Sequence, residues 1–354
     1  MKFLAIEHSF PSRRVTNDHV LKKVREANAA HLTEAELATV EELVRACFAA
    51  SGTTVRYHRA AGESASELAT DAGRRALDAS GLDALDIDLL LYVGIGRGVA
   101  EPASATTFQD LLGLRRATAF DILDACASWI RALHVADAFL RTGAYRNIMI
   151  VNAECNASDI YRYELRSLEE FAHWHPTLTI GEAATATILT AHRNGADEEE
   201  GFEASFRTWG EKRDLCFVPM ANFDAYFGKE VDVAGTLRPL QFVSFGLSLM
   251  EFGTRKLVEH YRDLPQFEEF KADLVFGHSA SDGAGRHVVE ACGIDADKYR
   301  FDHRNHANTV SASVPVSMSE ALKSGELAEG DRVLLMAASA GVTTALAKFT
   351  YHGR

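Results

Sequence analysis

A duplicated α/β fold is what the 354-residue sequence predicts, on three observations. Two apolar runs open alike, Ile87-Asp-Leu-Leu-Leu-Tyr-Val-Gly94 and Lys271-Ala-Asp-Leu-Val-Phe-Gly277, and both read as buried strands. Each is followed by the same order of elements: strand 116–122, helix 124–141 and strand 147–153 in the first half, strand 299–302, helix 311–324 and strand 332–337 in the second. A helix feeds each run from its N-terminal side, 65–77 before the first and 245–260 before the second. The boundary follows the apolar Ala184–Leu189 and falls around the polar Asn194–Gly201, giving an N-terminal unit of residues 1–192 and a C-terminal unit of residues 193–354. Function then belongs at the junction of the halves, where strand ends from both converge.

From the N-terminus, Phe3–Ile6 is a short apolar run before His8 and the Arg13-Arg14 pair, too short for a signal segment. Residues 20–55 fall outside the repeat and carry the amphipathic Thr33–Arg45, with Thr33 as its cap. The strand 116–122 is expected to be buried and to give way directly to the apolar helix 124–141, which stops on Arg141-Thr-Gly143 with glycine at the usual stop position. Two further insertions, 160–180 with Phe171-Ala-His-Trp-His-Pro176 and the Phe-, Met- and Pro-rich 213–240, are of the kind that roof a pocket.

With 47% hydrophobic residues the chain is long enough to bury a sizeable core. A net charge of −13 argues against nucleic acid or an anionic membrane surface as the main partner, since both need a basic face. No stretch approaches a membrane span. Five widely spaced cysteines (Cys47, Cys126, Cys155, Cys216 and Cys292) without a C-x-x-C suggest neither a disulfide framework nor a structural zinc site, and fit a reducing cytoplasm.

Cys126 sits where strand 116–122 meets the long helix, and a thiol there points at a nucleophile. Unpaired N–H groups and the positive end of the helix dipole favour thiolate over thiol and can bind a developing oxyanion. The plain alternative is a small core residue. In the second half His278 ends a buried strand, where a neutral imidazole can act beside a reacting carbonyl, and Asn308 precedes helix 311–324, where its amide could donate to an oxyanion. A satisfied polar histidine and a helix cap are the plain alternatives. The set gains weight as an ordered Cys, His and Asn at strand ends of a duplicated sheet.

Asp121-Ile-Leu-Asp-Ala-Cys126-Ala-Ser-Trp129, Gly277-His278, His306–Pro315 and Gly330–Gly341 together resemble the thiolase superfamily, most closely its ketoacyl-acyl-carrier-protein synthase III group. The likeness runs from Phe10 to Phe349. It implies a thiolase-like five-layer α/β/α/β/α fold and a homodimer. It implies that Cys126 takes the acyl group from a thioester on acyl carrier protein or coenzyme A, and that the backbone N–H groups of Cys126 and Gly341 hold the oxyanion. His278 and Asn308 would then stabilise the enolate, with no metal or redox cofactor required.

Departures refine this expectation. Ala50–Arg56 lacks the tryptophan that holds coenzyme A in the synthase III group, and the helix after His278 has only Arg286 as a fixed cation for carrier docking, so Lys212 and Arg213 are the substitutes. The motif reads His278-Ser-Ala-Ser281, and the Gly-rich loop reads Ala338-Ser-Ala-Gly341. Glu101-Pro102 has a glutamate where synthase III proteins carry a large apolar residue, on a loop reaching into the partner's pocket. That resembles enzymes that join two acyl chains without decarboxylation, as in olefin or α-pyrone synthesis, where the glutamate removes the α-proton. A helix start at Pro102 is the plain alternative. Gly94-Ile-Gly96-Arg-Gly98 lacks the last glycine of a dinucleotide loop, His173 and His175 lack a third metal ligand, and Gly181-Glu182 reads as a structural turn.

The expected function is therefore a ketosynthase of fatty acid, polyketide or other secondary metabolism, non-decarboxylating with Glu101 as base. The alternatives are decarboxylating condensation with a malonyl thioester, acyl transfer to oxygen or nitrogen, and a non-catalytic partner subunit.

Overall fold

A computed structural model describes residues 1–157, 159–191, 201–231, 233, 237–278 and 280–353; the expected boundary at 192/193 lies outside the described residues. The first half runs β1 (Lys2–Ser9), β2 (Arg13–Thr16), α1 (Asn17–Asn28), α2 (Glu34–Ser51), β3 (Val55–His58), α3 (Ala65–Ser80), β4 (Leu89–Val93), α4 (Ser104–Leu111), β5 (Thr118–Ile122), α5 (Ser128–Thr142), β6 (Asn147–Glu154), α6 (Phe171–Trp174) and β7 (Ala183–Thr190). The second runs β8 (Glu203–Thr208), β9 (Cys216–Phe217), α7 (Phe223–Phe227), β10 (Val243–Ser244), α8 (Gly246–Arg262), α9 (Pro265–Glu268), β11 (Leu274–Gly277), α10 (Asp282–Cys292), β12 (Tyr299–Arg300), α11 (His303–His306), α12 (Ser313–Ser324), β13 (Arg332–Ser339) and β14 (Thr343–Thr350).

The two large sheets have the same plan. One is ordered β1-β7-β6-β4-β5, the other, read from its matching edge, β8-β14-β13-β11-β12. In both, the third strand pairs parallel to the fourth and antiparallel to the second. Strand β6 therefore corresponds to β13, and β4 to β11. Side-chain alternation sorts the apolar residues into layers. Leu89, Leu91, Ile148 and Ile150 face a central layer with Trp129 and Leu133 of α5, Val314 and Met318 of α12, and Phe276 and Leu335 of the opposite sheet. The other face of the first sheet packs on α3 and α4 through Ala72, Ala76 and Phe108, and that of the second packs on α8 and α10 through Leu257, Tyr261 and Val288. Helix, sheet, helix, sheet, helix is the expected five-layer α/β/α/β/α arrangement. Among the described residues no helix is long and apolar enough to cross a membrane.

Two local expectations need correction. Strand β5 is not buried: it is an edge strand paired only with β4, and its residues are half-buried or exposed. The helix at 124–141 is not continuous either, because a 3-10 turn over Ala125–Ala127 precedes α5. The second half repeats this, with a 3-10 turn over Val310–Ala312 before α12. The first residue of each turn has positive φ, +42° at Ala125 and +53° at Val310, a region that costs an L-residue energy. Thr33 caps α2 as expected, with Glu36 closing a capping box, and Gly143 ends α5 in the left-handed conformation.

Candidate active site

Cys126 is the middle residue of the first 3-10 turn. The turn is tied down from both sides. The Ala127 N–H donates to Ser339 Oγ (3.3 Å), and that hydroxyl donates to the Asp124 carbonyl (3.0 Å). From within, Ser128 Oγ donates to the Ala125 carbonyl and accepts from the Asp124 N–H, both at 2.7 Å. The thiol packs against an apolar cluster of Ile160, Tyr161, Ile180 and Val310, with Ile95, Ala157, Val218 and Phe242 around it.

Burial pushes the Cys126 thiol well above its usual value, and neighbouring Cys216 and Glu154 push it further; hydrogen bonds from the backbone at Ala340 and at Cys126 itself oppose the rise. The expectation that a helix terminus would favour the thiolate is thereby overturned. The residue lies in the turn ahead of α5, and loss of water outweighs the nearby N–H groups. The N–H that meets the sulfur from the Gly-rich loop is that of Ala340; Gly341 follows it with φ of +124°.

His278 lies just past the end of β11, its N–H bonded to the Met336 carbonyl (2.9 Å). Burial, helped by nearby His303, lowers its imidazole to about 4, while a hydrogen bond with the Val310 backbone acts in the opposite sense. The ring is therefore neutral at pH 7. Asn308 is fixed by its own backbone, donating to the Thr179 carbonyl and accepting from the Gly181 N–H, both at 2.9 Å. Its Oδ1 accepts from the Val310 N–H (2.8 Å), and its Nδ2 has no hydrogen-bond partner among the described residues. Val310 thus joins the three: its backbone bonds both Asn308 and His278, and its side chain shares a cluster with Cys126. A thiol in an apolar cluster, with a neutral imidazole and an amide donor anchored on the same Val310, can form an acyl thioester and hold negative charge on oxygen.

Glu101 is exposed in the single chain and lies outside that cluster. It does not cap α4, because the Ser104 and Ala105 N–H groups are taken by the Asp121 carboxylate at 2.9 and 2.8 Å. Arg213 is occupied by the Phe227 carbonyl (3.0 Å), and Lys212 and Arg286 lie over the rings of Phe252 and Phe301. His173 is buried against Phe245, and His175 stacks on Phe171. Gly181-Glu182, expected as a turn, is instead a short link between the bridge at Ile180 and β7, and a Cβ at Gly181 would lie 2.1 Å from the His306 carbonyl oxygen.

The sequence reading missed Glu154. This buried carboxylate ends β6 and accepts from the Ile95 N–H (3.2 Å), the Gly96 N–H (3.1 Å) and Ser311 Oγ (2.5 Å). Gly94-Ile-Gly96, set aside as a nucleotide loop, is its seat. The signal available was a pair of glycines closing one strand and an acid closing another at the same level of the sheet.

Comparison with known proteins gives this site a context. The family 3-oxoacyl-[acyl-carrier-protein] synthase III matches residues 120–208, and its C-terminal counterpart matches residues 266–351. The β-ketoacyl-[acyl-carrier-protein] synthase III of Clostridium perfringens is 28% identical over 291 residues, 79% of this chain and 83% of the relative. The crystal structure of the Aquifex aeolicus 3-oxoacyl-[acyl-carrier-protein] synthase III superposes with a TM-score of 0.78 at 22% identity, covering 99% of both chains. Cerulenin-bound OleA of Xanthomonas campestris gives 0.81 at 21% identity, covering 99% of this chain and 96% of that one. By these matches the chain is similar to synthase III proteins along most of its length, and it is an acyltransferase of the ketosynthase kind.

Proposed function

We propose that the protein joins two acyl thioesters, carried on acyl carrier protein or coenzyme A, by a Claisen condensation that releases no carbon dioxide. The Cys126 sulfur attacks the first thioester, the carrier thiol leaves with the proton, and the acyl group stays on the enzyme. Glu101 from a second copy of the chain then removes the α-proton of the bound acyl group. The resulting enolate attacks the second thioester and expels its thiolate, which takes the proton from Glu101, while His278, Asn308 and the N–H groups around Cys126 hold the negative charge; water then cleaves the Cys126 thioester, releasing a β-keto acid and the free thiol. The observation that supports this reading is the junction at Val310, whose side chain shares an apolar cluster with Cys126 and whose backbone bonds Asn308 and His278. Participation of a second copy is supported by the uncovered edge of β5 and by the apolar side chains Val99 (50% exposed), Leu111 (43%) and Leu123 (60%) on the segments around Glu101.

The decarboxylating reading, with a malonyl thioester as second substrate, is favoured by the synthase III relatives and needs no base at Glu101. Mass spectrometry of the intact protein after incubation with a panel of acyl thioesters tests the step common to both. The wild type gains one acyl mass and Cys126→Ala gains none; persistent acylation of the alanine variant rejects Cys126 as nucleophile.

A further inference from the structure

We propose that Glu154 and Ser339 are a pair of positioning residues, each holding in place the catalytic turn of the other half. The inference rests on the reading of Cys126, His278 and Asn308 given above.

Glu154 is the last residue of β6, and Ser339 is the last residue of β13, the corresponding strand of the second sheet. The turns they touch also correspond. Cys126 is the middle residue of the 3-10 turn Ala125–Ala127, and Ser311 is the middle residue of Val310–Ala312. The contacts cross between halves. From the first half, Glu154 accepts the hydroxyl of Ser311, which also receives the Asn152 Nδ2 at 2.6 Å. From the second, Ser339 accepts the Ala127 N–H and donates to the Asp124 carbonyl, spanning the Cys126 turn.

The two clamps differ in chemistry for a reason that is visible in their donors. Ser339 meets one N–H and one carbonyl, so a hydroxyl suffices. Glu154 meets four donors, the Ile95, Gly96 and Ser311 N–H groups and the Ser311 hydroxyl, and no Lys or Arg pairs with it among the described residues. The two oxygens of a carboxylate offer about four lone-pair sites, one for each donor. Burial pushes the Glu154 carboxyl above its usual range while these hydrogen bonds act in the opposite sense, and together they fix Ser311 to a seat whose other side is the backbone at Ile95 and Gly96. The residue preceding Ser311 is Val310, which bonds Asn308 and His278. Glu154 thereby sets the donors of the second half-reaction, and Ser339 sets the nucleophile of the first.

The test separates the two half-reactions. Each protein is loaded with decanoyl-coenzyme A, or decanoyl-acyl carrier protein where that loads the wild type faster, and the acyl mass on Cys126 is followed. A second portion of thioester then discharges it. Ser311→Ala is expected to load as the wild type does and Glu154→Ala at least as fast, since Glu154 pushes the Cys126 thiol up, but both are expected to discharge on the order of 10²-fold more slowly, the loss that a misplaced catalytic group brings. Ser339→Ala is expected to load slowly and, once loaded, to discharge normally. Circular dichroism establishes folding; if Glu154→Ala does not fold, Glu154→Gln, which keeps the volume but turns a donor toward donors, carries the test together with Ser311→Ala. Equal slowing of both steps in each variant, or no slowing, overturns the crossed clamp and leaves Cys126 as nucleophile. If the wild type is not loaded, or is loaded at another residue, the functional reading falls and takes the clamp with it.

Discussion

Gly94→Ala should be among the most damaging single-methyl substitutions in the chain. Gly94 has φ of +108°, where an L-residue is strained by about 1–3 kcal/mol. The added Cβ would lie 2.5 Å from Glu154 Oε1, 2.8 Å from Ser311 Oγ and 2.9 Å from the Glu154 carboxyl carbon. None of these can step aside freely, because the carboxylate is held by the Ile95 and Gly96 N–H groups and by Ser311 itself. Moving it strands buried donors, at about 1–3 kcal/mol. The two costs together reach roughly 2–6 kcal/mol, a large part of the ~5–15 kcal/mol that stabilises a typical protein. Urea denaturation read by circular dichroism measures the change, and the double variant Gly94→Ala/Glu154→Ala locates it. Removing the carboxylate removes its part of the collision and releases Ser311 Oγ to turn away, but leaves the strain, so the double variant should be less destabilised than the sum of the singles. A Gly94→Ala midpoint equal to that of the wild type, or strict additivity in the double variant, would refute the seat assigned to Glu154.

The remaining expectations concern the chemistry and acid stability. His278→Ala and Asn308→Ala should still gain the acyl mass but fail to condense; loss of acylation equal to that of Cys126→Ala would instead place His278 in activating the thiol. Glu101→Gln should keep acylation but slow the exchange of acyl α-protons with deuterated solvent by about 10²–10⁴. Mixing it with Cys126→Ala should restore one working site per mixed pair, whereas unchanged condensation with carbon dioxide release from a malonyl thioester would favour the decarboxylating reading. His58 and His278 are both held near 4 by burial, against about 6.5 unfolded. The folded state therefore binds fewer protons than the unfolded one between these values. Stability should be whole above pH 6.5 and fall as pH drops toward 4, by up to about 3 kcal/mol for each ring. Urea midpoints that stay flat from pH 7.5 to 5 would contradict it.

What could be read in the sequence was what neighbours along the chain determine. The runs at 87–94 and 271–277 declare buried strands because their cores, Leu89–Val93 and Leu274–Gly277, are covered on both faces, and Thr33 with Glu36, or Gly143, mark helix ends through contacts a few residues long. The 3-10 turn at Cys126 could not be read that way, because one of its ties is to Ser339, 212 positions later. Glu154 was invisible for the same reason: its donors come from the loop after β4 and from the far half. The state of the Cys126 thiol was misjudged because local N–H groups are legible in sequence, whereas the enclosing wall of Ile160, Tyr161, Val218 and Phe242 is assembled from distant segments. Strand β5 looked buried because its composition is apolar, but composition does not reveal which strand stands at the edge.

The shared central layer has a consequence for how the chain is made. Phe3 stacks on Phe349 at 5.2 Å and on Tyr351 at 5.7 Å, and its N–H donates to the His352 carbonyl at 2.8 Å. Strand β1 is thus finished only after β14 and the residues that follow it have been made. Until they arrive, the inner faces of Leu133, Ile148 and Ile150 lack their partners Phe276 and Leu335 and remain open to water. Nascent chains halted near residue 190 should accordingly bind a chaperone or precipitate, and become soluble only when translation passes Tyr351.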